Sequence, residues 1–195
     1  MKKTISAGVT LFVVAAIALA CTRTVTRVDT NQTIDLSGRW NDTDSRLAAE
    51  ELSKDMLNRP WLSNFEKAKG KKPTFIVGVV TNKSHEHIEA ETFVKDIERA
   101  CINSGTVRVV QNSELREKIR IERADQQQFS SPETTKKWGR ELGADFMMFG
   151  TINTIVDTYN KKQVTYYQIN LELADLETNE LVWIGEKKIK KYIVN

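Results

Sequence analysis

In "VTYYQINLELAD" (residues 164–175), Tyr167, Ile169, Leu171 and Leu173 alternate with Gln168, Asn170 and Glu172. A strand has a side-chain period of two, so this segment demands a sheet with one dry face and one wet face. A lone hairpin is marginal in water, so further strands and a covering layer of helices must accompany it. The flanking segments meet that demand. "DFMMFGTINTIV" begins as an apolar run suited to burial on both faces and becomes half exposed. "DLETNELVWIGEKKIKKYI" supplies a tight turn, with Asn179 able to take a positive φ, and then a last strand. Its lysines at 187, 188, 190 and 191 suit a sheet edge, where charge discourages pairing with a further chain.

The first half of the chain supplies the cover. "GRWNDTDSRLAAEELSKDMLNRPW" predicts a helix capped by Asp44, with Leu47, Ala48, Leu52 and Met56 as its apolar stripe. Pro60 ends or kinks that helix, and Trp61 and Phe65 pack just beyond it. "TFIVGVVT" from Thr74 reads as a strand buried on both faces. Ala90, Phe93, Val94, Ile97 and Cys101 then follow helical spacing, closed by Gly105. A second strand is expected at Thr106–Val110, about thirty residues after the first, the spacing of a βαβ unit. Ser113 caps a helix carrying Leu115 and Ile119, and "ERADQQQFSS" is a loop or frayed helix end. Ser131, Pro132 and Glu133 start a last helix whose buried face holds Trp138 and Leu142. The expected fold is one α/β domain with a mixed sheet of about five strands flanked by helices, in the order α-β-α-β-α-α-β-β-β.

The amino terminus sets the compartment. Lys2 and Lys3 precede an uncharged segment, Thr4 to Ala20, which is marginal as a span against the ~20 apolar residues a transmembrane helix needs. A basic start, the apolar run Leu11–Ala20 and small residues at its end fit an export signal better. Residues 1–20 are therefore expected to be a signal peptide, 21–37 a polar tether and 38–195 the globular domain. At about 3.3–3.6 Å per residue the tether spans at most about 55 Å. Lys2 and Lys3 account for two of the 29 basic residues, leaving 27 against 26 acidic. So even a balance leaves no basic footprint for nucleic acid. Of the two cysteines, only Cys101 lies beyond Cys21, so no disulfide is expected within the domain. Cys101 sits on a core face as a small hydrophobe.

Chemistry-bearing residues are sparse. "SHEHIEAE" holds both histidines, His85 and His87, with Glu86, Glu89 and Glu91. Their spacing is not that of a zinc helix, which needs two histidines one turn apart. A carboxylate third ligand would make a weak zinc site. No Gly-rich phosphate loop and no Gly-x-Ser-x-Gly elbow is present. The residues describe an exported binding domain with no catalytic residue and no metal site. Arg39 and Trp40, at the junction of tether and domain, are candidate partner contacts because both types favour interfaces, and exposed His85 and His87 join them. The alternative for Trp40 is that it folds back to staple the first helix.

Cys21 directly after the apolar run resembles the lipobox of bacterial lipoproteins, with Ala18 where that family usually has leucine. The resemblance implies diacylglycerol on the Cys21 thiol, cleavage before it and N-acylation, and no other cofactor. Thr22, rather than aspartate, implies the outer membrane with the domain in the periplasm. Four segments, "DLSGRWNDTDSRLAAEEL", "FIVGVVTNKSHEHIEAETFVKDI", "GRELGADFMMFGTI" and "LELADLETNELVWIGEKKIKK", resemble the LpoB-type activator lipoproteins of class A penicillin-binding proteins. The folds of the TolB amino-terminal domain and the curli-secretion lipoprotein are related to these. The resemblance implies a monomeric, non-enzymatic regulator that binds and stimulates a bifunctional peptidoglycan synthase. The alternative is a subunit of an envelope secretion or trans-envelope complex. Enteric relatives carry a long proline-rich linker, whereas this tether is short and has no proline.

Overall fold

The computed structural model describes residues 24–129 and 141–194. The chain divides after Thr33 into two compact units. The described part of the first, residues 24–33, is exposed and irregular. It holds one turn, in which Gln32 N donates to Asp29 O (3.1 Å) and Asn31 N to Asp29 Oδ1 (2.7 Å).

The second unit holds four helices and five strands among the described residues: α1 (Asp42–Leu57), α2 (Pro60–Lys69), β1 (Thr74–Asn82), α3 (Ala90–Ser104), β2 (Arg108–Val109), α4 (Ser113–Phe129), β3 (Phe146–Tyr159), β4 (Lys162–Asp175) and β5 (Leu181–Val194). The strands form one mixed sheet in the order β2-β1-β3-β4-β5. β1 runs parallel to β2 and β3, while β3, β4 and β5 are antiparallel over nearly their full length. The mixed α/β fold and its element order agree with the sequence reading.

Alternation decides which face is dry. Tyr167, Ile169, Leu171 and Leu173 of β4 are all 0 % exposed, joined by Phe146, Met148 and Ile152 of β3, Phe75, Val77 and Val80 of β1, and Trp183 of β5. Ala48, Leu52 and Met56 of α1, Trp61 and Phe65 of α2, and Phe93, Ile97 and Cys101 of α3 cover them in one core. Trp61 and Phe65 both meet the Phe146 ring edge-on, at 5.1 and 5.2 Å between centroids, a favoured aromatic geometry. The opposite face is open. In register across β3, β4 and β5 it presents Phe149–Glu172–Ile184, Thr151–Asn170–Glu186, Asn153–Gln168–Lys188 and Ile155–Tyr166–Lys190. Among the described residues no helix is long and apolar enough to cross a membrane.

Several expectations are corrected. β1 is not buried on both faces, because Val79 is 69 % exposed. A register irregularity between Val77 and Val80, at Gly78, lets Val77 and Val80 both face the core. The run that starts β3 likewise has an open face at Phe149. The cap of α1 is Asn41, and Asp44 is its reciprocal partner in a capping box. Leu47 is exposed. Pro60 does end α1 and then opens α2 at its first position, where its missing N–H costs nothing. The second strand shrinks to Arg108–Val109, and the "ERADQQQF" stretch is helical to Phe129. The helix expected from Ser131, with Trp138, falls largely outside the described residues, and Leu142 is exposed in an irregular stretch.

At Gly150 the dry face leaves no room for a side chain: a Cβ there would strike the Asn170 carbonyl and come within 2.6 Å of Leu171 Cδ2. Gly150→Ala is expected to lower unfolding free energy by about 1–3 kcal/mol through overpacking. Urea denaturation of a soluble chain lacking residues 1–21 checks this.

Candidate functional site

The loop after β1 is built by its short polar side chains. Asn82 Oδ1 accepts from Ser84 N (2.9 Å), while Asn82 Nδ2 donates to Glu86 O (2.8 Å) and Ser84 Oγ donates to the same carbonyl (3.0 Å). His85 N donates to Thr154 Oγ1 of β3 (3.2 Å). These bonds turn Glu86 inward between two exposed histidines, His85 and His87. One carboxylate oxygen of Glu86 accepts from Trp40 N (3.0 Å), and the other accepts from the Tyr167 hydroxyl (2.8 Å). The Trp40 ring tilts against Tyr167 at 5.5 Å between centroids. Burial, reinforced by the bond to Glu86, raises the Tyr167 hydroxyl above its ordinary pKa.

A second fastening lies beside it. Lys191 of β5 has a side chain only 10 % exposed, and its ammonium donates to Asp35 Oδ2 (2.8 Å), Asp44 Oδ2 (2.6 Å) and the Arg39 carbonyl (2.8 Å). Burial alone would lower the Lys191 pKa, but the bonds to Asp35 and Asp44 outweigh it and hold the pKa above the usual lysine value. The hydrogen bond from Lys191 in turn draws the Asp35 carboxyl below its usual range. Gly38 then takes φ +68°, donates its N–H to Asp35 Oδ1 (2.9 Å), and lies so close to β5 that a Cβ would sit 2.5 Å from Ile193 Cγ1. Residues 35–44 thus form a clasp held at Lys191, Ile193 and Glu86.

The four residues singled out as partner contacts come together here. Trp40 is half-buried, with its ring committed to Tyr167 and the core. Arg39 precedes it in the chain and His85 and His87 flank its partner Glu86, all three exposed. Among the described residues, no group of three or more His, Cys, Asp or Glu side chains is arranged to hold a metal ion. Cys101 is fully buried, and desolvation pushes its thiol up to about 12. Cys21 lies outside the described residues. Glu86, Tyr167 and Lys191 are the organising residues that the sequence did not single out as a group. A signal existed for Lys191: with a period of two, 187 and 191 fall on the face of Trp183 and Ile189, so each needed an acidic partner. Lys187 finds one in Glu51.

Two outcomes are expected. A double-mutant cycle of Glu86→Ala and Tyr167→Phe gives a coupling of about 1.5–3 kcal/mol in denaturation experiments, the range for hydrogen bonds to a charged group. Because folding lowers the Asp35 pKa, its stabilising contribution is full above about pH 4, the unfolded value. That contribution disappears as pH falls through the lower folded-state pKa. A pH series of melting temperatures therefore loses part of its acid-side slope in Asp35→Asn.

Residues 44–189 match the family model described as peptidoglycan-synthase activator LpoB. No curated protein matches the chain. Among solved structures, the LpoB C-terminal domain from Salmonella enterica is 17 % identical with a TM-score of 0.43, over 75 % of this chain and 98 % of that one. The Escherichia coli C-terminal domain is 17 % identical with a TM-score of 0.39, over the same shares. The NMR structure of Escherichia coli LpoB is 14 % identical with a TM-score of 0.42, over 90 % of this chain and 85 % of that one.

Proposed function

The chain belongs to the peptidoglycan-synthase activator LpoB family, and on that premise we propose that it is a lipoprotein that binds a bifunctional class A penicillin-binding protein and stimulates it. The observation that carries this reading is the family match over residues 44–189, which runs from the first turn of α1 into β5. The protein acts as a regulator, without catalysing the reaction itself. It binds the active conformation of the synthase more tightly than the inactive one, and that difference in affinity is the activation.

The anchor is lipid on Cys21, added after removal of residues 1–20, and it holds the protein in the outer membrane with its domain in the periplasm. Thiol and amino-terminal acylation together exceed the two signals that stable anchoring requires. Residues 21–37 are the lead to the domain at 38–195, and the protein works as a monomer. Confinement to the layer above one bilayer raises the effective concentration of the domain, so modest intrinsic affinity suffices. The docking patch is the exposed ring of Arg39, His85 and His87, with Trp40 as its packed floor.

Crosslinking in intact membranes, followed by capture and mass spectrometry, should recover a class A synthase. Recovery of none removes the reading. Arg39→Glu with His85→Ala and His87→Ala should weaken binding to the captured synthase by about tenfold or more. These side chains are exposed, so the melting temperature should hold. Unchanged affinity moves the docking patch elsewhere.

A further inference from the structure

We propose that the end of the domain where the β3–β4 turn meets the last residues of β5 rests on anionic phospholipid headgroups, a reading that depends on the Cys21 anchor. The clasp places the start of the domain at this end. Gly38 packs on Ile193, and Asp35 is bonded to Lys191. Ile193 pairs with Gln163 and Lys191 with Thr165, two and four residues beyond the turn at Asn160 and Lys161. The lead from Cys21 therefore joins the domain beside the turn. With Asp35 fixed, the chain from Cys21 to Asp35 can span at most about 50 Å at 3.3–3.6 Å per residue.

That same end carries the surface chemistry of a membrane interface. Leu36 is 94 % exposed, Tyr159 76 %, Val194 63 % and Tyr192 61 %. Tyr159, Lys162 and Val194 lie side by side across the sheet, with Tyr192 in the next row of the same open face. Lys161, Lys162 and Lys190 stand around them, and among the described residues none has a carboxylate within 4.0 Å. The contrast lies within β5, where Lys187, Lys188 and Lys191 are all paired. Asp157 is the one acid on this part of the open face. Tyrosine at headgroup depth, with lysines reaching past it to phosphate, is the pattern of interfacial contact. Unpaired lysines close to a surface are drawn to anionic lipid. Asn160 holds the turn at φ 54°, so the two-residue loop projects as a compact tip. The point where the lead joins the domain, at Asp35, and the lipid-seeking end adjoin within the domain, which sets it with the turn toward the bilayer.

The test uses the full chain purified from membranes with an environment-sensitive dye on Thr158→Cys. Cys101 is buried and stays unlabelled. The protein is reconstituted in vesicles of roughly 3:1 phosphatidylcholine to phosphatidylglycerol or of phosphatidylcholine alone. Lipid-borne quenchers should reach the dye in the phosphatidylglycerol vesicles. The quenching should fall by about half or more when Lys161, Lys162 and Lys190 are changed to Glu and Tyr159 to Asp. It should also weaken as salt rises from 0.1 M to 1 M, where the screening length drops from about 10 Å to about 3 Å. A dye that remains in water while the protein is on the vesicle overturns the proposal, as does shielding that appears only with added synthase or with a second copy of the chain. The mass of the amino-terminal peptide tests the anchor separately, since an unmodified Cys21 defeats the lipoprotein reading without reference to the dye.

Discussion

Tyr167, Ile169, Leu171 and Leu173 have no exposed surface, and the rest of the structure follows from keeping that one face of β4 dry. Each such side chain is worth about 1.5–3 kcal/mol when fully buried. Three helices supply the cover. Tyr167 is the point where a dry face meets a polar requirement, because its buried hydroxyl needs an acceptor. Glu86 provides one, and the same carboxylate takes the Trp40 N–H. One side chain thereby seals the end of the core, fixes the loop that carries His85 and His87, and sets where the amino-terminal segment joins the domain.

The alternating pattern of β4, the helical spacing of α3, the lysine-bearing edge at β5 and the turn at Asn179 were all legible in the sequence, because each is a local pattern. Asn179 has φ 62°, as that turn requires. Local patterns failed where a distant residue or a backbone irregularity decided the outcome. Val79 reads as buried in any apolar strand, yet the irregularity at Gly78 exposes it. Asp44 looks like a helix cap, but Asn41 takes that role, and Asp44 Oδ2 accepts from both Asn41 N and the Lys191 ammonium. The candidate contact residues were chosen on type and position, and they do lie together. What joins them, a carboxylate bonded to a tyrosine 81 positions away, has no local signature.

The clasp also bears on reach. With Asp35 and Gly38 held against β5, part of the stretch that reads as free tether belongs to the folded domain. On the proposed Cys21 anchor, so short a lead would hold the domain close to its own bilayer, and the partner would have to approach that surface. Arg39, His85 and His87 sit at the clasp, and the β3–β4 turn lies beyond it along the same strands. The proposed membrane contact and the proposed partner contact use neighbouring parts of one domain and share no side chain.

The decisive measurement is the rate of glycan polymerisation by the class A synthase from the same envelope, with and without the purified chain in the same bilayer. An activator raises that rate in a saturable manner, with half-saturation tracking the affinity of the complex. A rate that does not change at any concentration of the chain contradicts the role assigned to it.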